Sequence, residues 1–336
     1  MIARFLRWFW IVTIGVAAAA TWLATHLFAD RIGPWAAGLA GIVAVFALHP
    51  ATIAVNFVLS RSFGDPVPPA FRLSPWQAIK TYDAEIDASM RGVWFATPFL
   101  PHRAARRPAE GAALQSLPIL FVHGYFCNRA VWLSFMRDAA ARGYVCEAVT
   151  LPDPLAAIEA QLATVDAAID ALLTTANDAG IPATRVAIVG HSMGGLVARA
   201  AALECDASRI GPIVTLGAPH HGTHTARFGA LPSVVQMRRN GRWLAALGAR
   251  EVAAAGASSV RPRLTSVFSY HDDIVYPQTT AVLEGAAHVA IGGCGHVALL
   301  YDRRVRTIVF DVLASSGVEP DVAPTQAASG GIDVAS

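Results

Sequence analysis

Charged side chains are scarce in this chain of 336 residues, at 15% of the total, and lysine is nearly missing, with Lys80 the only one. There is no basic run, the net charge is only +2, and aromatic residues do not interleave with basic ones, so an extended nucleic-acid surface is excluded as a leading reading. Cysteine is sparse as well. Cys127, Cys146, Cys205 and Cys294 stand far apart without a C-x-x-C pair, which argues against a zinc site or a thioredoxin-like motif. They read as small core residues, with one disulfide open if the domain lies outside the cytoplasm.

The charge that is missing is missing most at the amino end. Neither Trp8 to Ala29 nor Ile32 to Ser60 contains Asp, Glu, Lys or Arg, and each exceeds the roughly 18–20 residues that span a bilayer. This concentration accounts for much of the 54% hydrophobic content and the mean hydropathy of +0.44. A two-helix membrane anchor over residues 1–60 is predicted, joined by the short Asp30-Arg31 connection and uncleaved, since the first span is too long for a signal h-region. Arg4 and Arg7 precede the first span, and Arg61, Arg72 and Lys80 follow the second. That balance predicts a multi-pass protein of a bacterial inner membrane with both ends of the chain on the cytoplasmic side.

Residues 61–116 read as a linker and one helix. Gly64-Asp65-Pro66 cannot continue a helix, whereas Ser74-Pro75 offers an N-cap and a first-turn proline for a helix over Trp76 to Met90. From Leu117 to about residue 314 short apolar runs alternate with helical periodicity. The runs are Ile119 to Val122, Tyr144 to Val149, Val186 to Val189, Ile213 to Leu216, Leu264 to Phe268 and Val289 to Ile291, with a closing helix over Val297 to Leu313. Such alternation predicts an α/β domain with a mostly parallel sheet covered on both faces. Residues 223–259 interrupt it as a long insertion, predicted to be a helical lid, and 315–336 reads as a disordered tail.

The chemistry centres on Arg185 to Ala200, RVAIVGHSMGGLVARA, which reads as strand, sharp turn and helix with Ser192 at the apex. A serine hydroxyl is a poor nucleophile near neutrality and needs a general base held in the right tautomer by a carboxylate. His296, in the glycine-rich loop after the last strand, is the base candidate. Asp272 and Asp273, just after the strand at Leu264, are the acid candidates. Two backbone N–H groups are needed for the developing oxyanion, and Met193 and Tyr125 are placed to supply them. His123 and His191 are expected to brace loops. His220, His221 and His224 offer a weak metal reading that Gly222 interrupts, so no metal and no cofactor is expected.

LFVHGY, VGHSMGG, TLGAPHHGT, SYHDDIVYP and GCGHVALL, in this order over Leu117 to Leu313, resemble the bacterial triacylglycerol-lipase and esterase branch of the α/β-hydrolases, which includes relatives of the GPI inositol-deacylase type. The resemblance implies the α/β-hydrolase fold, Ser192, Asp272 and His296 as the triad, and Tyr125 and Met193 as oxyanion donors. It favours Asp272 over Asp273 because the family's acid precedes a valine in D-x-x-V, here Val275. The implied activity is hydrolysis of lipid esters. Acyl transfer on the same triad, or a non-catalytic membrane subunit with a vestigial domain, are the alternatives. The implied partners are an ester substrate and the bilayer; the amino-terminal hairpin stands outside the family pattern.

Overall fold

The computed structural model describes residues 1–100, 108, 113–254 and 259–316. The tail expected to be disordered lies largely outside these residues; Ser315 and Ser316, the first two of that stretch, belong to the last helix.

Six parallel strands form one sheet: β1 (Ile119–Val122), β2 (Cys146–Val149), β3 (Val186–His191), β4 (Ile210–Leu216), β5 (Leu264–Ser269) and β6 (Ala287–Ile291), in the order β2-β1-β3-β4-β5-β6. Alternate residues of β1 show why both faces must be covered. Leu120 and Val122 enter one core with α7 (Leu162–Asp178) and α8 (Met193–Glu204), while Ile119 and Phe121 enter another with α6 (Leu133–Ala141) and α11 (Arg303–Ser316). The closing helix was expected to begin at Val297. It starts six residues later at Arg303, because Ala298–Leu300 forms a separate 3-10 turn.

At the amino end, α1 (Ile2–Ile32) is long and apolar enough to cross a membrane. The second apolar stretch is not one helix but two, α2 (Pro34–Phe46) and α3 (Leu48–Phe63), bent by 42° and passing the same test only as a broken pair. Pro50 gives the reason: its ring opposes the carbonyl four residues back, at Phe46, and it has no N–H to donate there, so the helix breaks one turn before it. Where two membrane helices were expected from composition, the structure has one unbroken helix and one broken pair.

Helix α4 (Pro75–Ser89) begins as its sequence predicts. Ser74 accepts from Gln77 N and the Gln77 side chain accepts from Ser74 N, a reciprocal cap with Pro75 at the first position. The chain continues as π-helix over Met90–Ala96 and a short α5 (Thr97–Phe99). The first turn of α1 packs on this region, with Ile2 and Leu6 buried and the Phe5 ring edge-on to Phe126 at 5.6 Å. The insertion between β4 and β5 contains α9 (Pro232–Gln236) and α10 (Arg242–Ala253). Met237, Leu244 and Leu247 are buried in the α7–α8 core, whereas Phe228, Leu231 and Val235 are exposed.

Candidate functional site

The triad and oxyanion candidates fall at the carboxyl ends of strands, where ligands of open parallel sheets bind. β1 leads into His123-Gly124-Tyr125, β3 into Ser192, β5 into Asp272-Asp273 and β6 into His296. β1 and β3 are neighbours, and the chain passes from β1 outward to β2 before returning to β3, so the Gly124 and Ser192 turns flank the switch in strand order.

Ser192 has φ 54° and ψ −124°, a conformation that side chains rarely adopt. Its N–H donates to Leu216 O at 2.8 Å, and helix α8 begins at the next residue. The turn is tight: a Cβ on Gly194 would lie 2.2 Å from Val122 O. Met193 is the first residue of α8, so its N–H has no acceptor within the helix. On the other side, a Cβ on Gly124 would stand 3.0 Å from Ser192 Cβ, which places the Tyr125 peptide next to the serine.

His296 is 5% exposed and held at three polar atoms. Its Nδ1 donates to Asp272 Oδ2 at 2.8 Å, its N–H to Asp273 Oδ1 at 3.0 Å, and its carbonyl accepts from His191 Nε2 at 3.1 Å. With Nδ1 committed, Nε2 is the ring nitrogen left for chemistry. Burial by itself lowers the imidazole pKa, but the charge and hydrogen bond of Asp272, with Asp273 behind it, outweigh burial and hold it above the ordinary histidine value.

The two aspartates have separate partners. Asp272 Oδ1 accepts from Ile274 N at 2.9 Å and Val275 N at 2.7 Å, which turns Oδ2 toward the imidazole. This Asx-type turn uses backbone N–H groups that any residue but proline would supply, so it orients the carboxylate without reading the Val275 side chain, which is buried. Asp273 is buried beside Asp272, and burial with that like charge pushes its carboxyl up to about 7.

The remaining histidines brace the frame. His123 Nδ1 donates to Gly124 O at 2.8 Å and Nε2 accepts from Leu151 N at 3.0 Å; burial holds it down to about 4. Burial keeps His191 neutral as well, with the neighbouring His296 adding to the effect. His220 pairs with Thr215 Oγ1 at 3.0 Å and accepts from Arg199 at 3.3 Å, while His224 meets Arg239. Among the described residues no three His, Cys, Asp or Glu side chains are grouped to hold a metal ion, and none of the four cysteines is in a disulfide.

Sequence reasoning missed two buried acids. Glu251 on α10 pairs with Arg199 on α8, and Glu85 on α4 lies under the histidine loop. An isolated Glu in a polar helix pattern reads as a solvated face, so neither carried a signal.

Residues 155–282 match the PGAP1-like alpha/beta domain, a stretch that contains Ser192, Asp272 and the helical insertion but not His296 or Tyr125. Among solved structures, the lipase BlEst2 of Bacillus licheniformis in its mature form is similar at a TM-score of 0.53 and 15% identity, covering 64% of this chain and 97% of that one. Its propeptide form gives 0.53 and 17%, covering 67% of this chain and 55% of that one. No curated protein sequence matches the chain. Identity this low speaks for the fold alone, and the chain has the α/β-hydrolase fold, with residues 155–282 similar to the PGAP1-like alpha/beta domain.

Proposed function

We propose that the protein is a membrane-anchored serine hydrolase that cleaves carboxylic esters of lipids through an acyl-Ser192 intermediate. The observation that carries the reading is the His296 Nδ1 to Asp272 Oδ2 hydrogen bond of 2.8 Å, which selects the tautomer with an unprotonated Nε2, on a loop at the same sheet edge as the Ser192 turn. In the reaction, Ser192 Oγ attacks the ester carbonyl carbon while its proton passes to His296 Nε2. The N–H groups of Met193 and Tyr125 take the charge that develops on the carbonyl oxygen. Collapse breaks the bond to the alcohol, which leaves with the proton from His296. Water activated by the same nitrogen then hydrolyses the acyl-serine, releasing the acid.

Lipid as the substrate class is supported by α1, by the broken pair α2 and α3, and by the exposed Phe228, Leu231 and Val235 on the insertion. The insertion acts as a surface that meets lipid rather than a fully detached lid, since its buried residues tie it to the core. Of the sequence alternatives, acyl transfer differs only in the acceptor that meets the acyl-enzyme.

The test is labelling of the detergent-solubilised chain by a fluorophosphonate, with hydrolysis of p-nitrophenyl esters of graded chain length. Labelling and turnover in the wild type, both lost in Ser192→Ala with an unchanged circular-dichroism melt, are expected. A chain that neither labels nor turns over, or a Ser192→Ala variant that hydrolyses like wild type, overturns the reading. For sidedness, a fluorescent protein fused after Leu313 should light up if the domain is cytoplasmic, and an active alkaline phosphatase at the same junction places it outside.

A further inference from the structure

The segment between the apolar helices and the sheet was expected to be a linker and one helix, with no part in the site. Two of its side chains instead reach the loops that carry His296 and Asp272. Glu85, near the end of α4, is 1% exposed; its Oε1 accepts from Val297 N and its Oε2 from Ala298 N, both at 2.8 Å. Asp65, in the α3–α4 connection, accepts from Thr279 N and Thr279 Oγ1, both at 2.7 Å, and its own N–H donates to Gln278 Oε1 at 2.9 Å. Gln278 Nε2 in turn donates to Asp272 O at 3.0 Å.

Three successive N–H groups, of residues 296, 297 and 298, therefore end on carboxyl groups from different parts of the chain: the first on Asp273, the other two on Glu85. A carboxyl in this place is costly. Burial, then the like charge of Asp273 and, less, of Asp272, raise Glu85 well above the usual carboxylate range against the pull of its two N–H donors. An apolar residue would fill the space without that cost, but it would leave two N–H groups beside His296 without their acceptors. What the carboxyl adds is a two-pronged grip on the backbone directly after the imidazole.

We infer that Glu85 is a positioning residue for His296, fixing the reach of its Nε2 toward Ser192 by clamping Val297 and Ala298 from the helix that follows the apolar segment. The inference rests on the reading of His296 as general base. Misplacing a proton acceptor by about 1 Å costs on the order of a hundredfold in rate, without changing how substrate binds.

The experiment uses the full chain in detergent with a soluble p-nitrophenyl ester, comparing wild type, Glu85→Gln, Glu85→Ala, Asp272→Asn and the Glu85→Ala/Asp272→Asn double variant. Glu85→Ala, which loses both prongs, should lower kcat by about a hundredfold with KM within about twofold. Glu85→Gln keeps one acceptor oxygen and should recover part of the loss. In the Asp272→Asn background the Glu85 change should cost little more, because the imidazole is already misheld. Equal losses of kcat in both backgrounds, a rise in KM alone, or Glu85→Gln with wild-type kcat would overturn the inference. If Glu85→Ala does not fold, kcat of Glu85→Gln decides it. Wild-type protein that neither turns over nor labels with fluorophosphonate counts instead against the proposed hydrolase.

Discussion

Arg199 and Glu251 face each other through two hydrogen bonds, Nε to Oε1 at 2.6 Å and Nη2 to Oε2 at 2.7 Å, with both side chains almost wholly withdrawn from water. Arg199 lies on α8, the helix that starts at Met193, and Glu251 on α10 of the insertion, so the pair ties the insertion to the helix behind the serine. Removing one partner strands a buried charge. Glu251→Gln should cost about 3–5 kcal/mol of stability, and the double change Arg199→Met/Glu251→Met much less. Urea unfolding measures both; a loss below about 1 kcal/mol for the single change contradicts this account.

Asp272 and Asp273 should separate cleanly in kinetics. Asp272→Asn loses the acceptor that selects the tautomer and should lower kcat by about ten-thousandfold. Asp273→Asn keeps an amide oxygen for His296 N and should lose less than about tenfold. The reverse order would move the acid role to Asp273.

The rate should rise with pH as His296 loses its proton. Because Asp272 and Asp273 more than offset the effect of burial, the midpoint of the acid limb of kcat/KM should lie above 6.5. Asp272→Asn removes the larger offsetting charge, so its residual activity should have a midpoint at lower pH. A wild-type limb below 6.5 would show that burial dominates.

Stability should carry the matching sign. The folded pKa of Asp273 is raised from 3.8 to about 7, so the folded state holds a proton that the unfolded chain releases first. Its contribution is complete below about 3.8 and is lost as pH rises through about 7. His296, raised above 6.5, acts in the same direction, with a contribution complete below 6.5 and lost above it. Asp273→Asn should therefore flatten the decline in melting temperature between pH 4 and 7. An unchanged slope would rule out this assignment.

Phe228, Leu231 and Val235 project from the insertion with exposures of 86%, 42% and 40%. Changing all three to Ser should weaken action on micellar ester by about tenfold and leave monomeric ester within about twofold, since apolar contact with lipid is what they supply. Equal effects on both substrates would make the patch irrelevant to lipid.

The sheet and the serine turn were legible because both are written locally. Apolar runs of three to six residues give the strands, and the arrangement Val186 to Ala200 allows little besides strand, turn and helix. Asp272 is singled out over Asp273 only through the D-x-x-V resemblance, since the bond it accepts from Val275 is a backbone one and leaves no mark in the side chain at that position. Glu85, Asp65 and the Arg199–Glu251 pair were not, because each is defined by a partner far along the chain: 212 residues for Glu85, 52 for Arg199. The break at Phe46 was written locally, in Pro50, but is hidden when hydropathy is averaged over a window that a proline barely changes.

The loop carrying His296 ties together residues remote in sequence: its carbonyl reaches His191, 105 residues back, and the N–H of Val297 reaches Glu85 across 212. Contacts of such separation pay their loop-closure entropy late, so the imidazole should be locked only after the local helices have formed. Recovery of activity on refolding should lag behind recovery of helical signal, and a partly folded chain would display its serine without a base to use it.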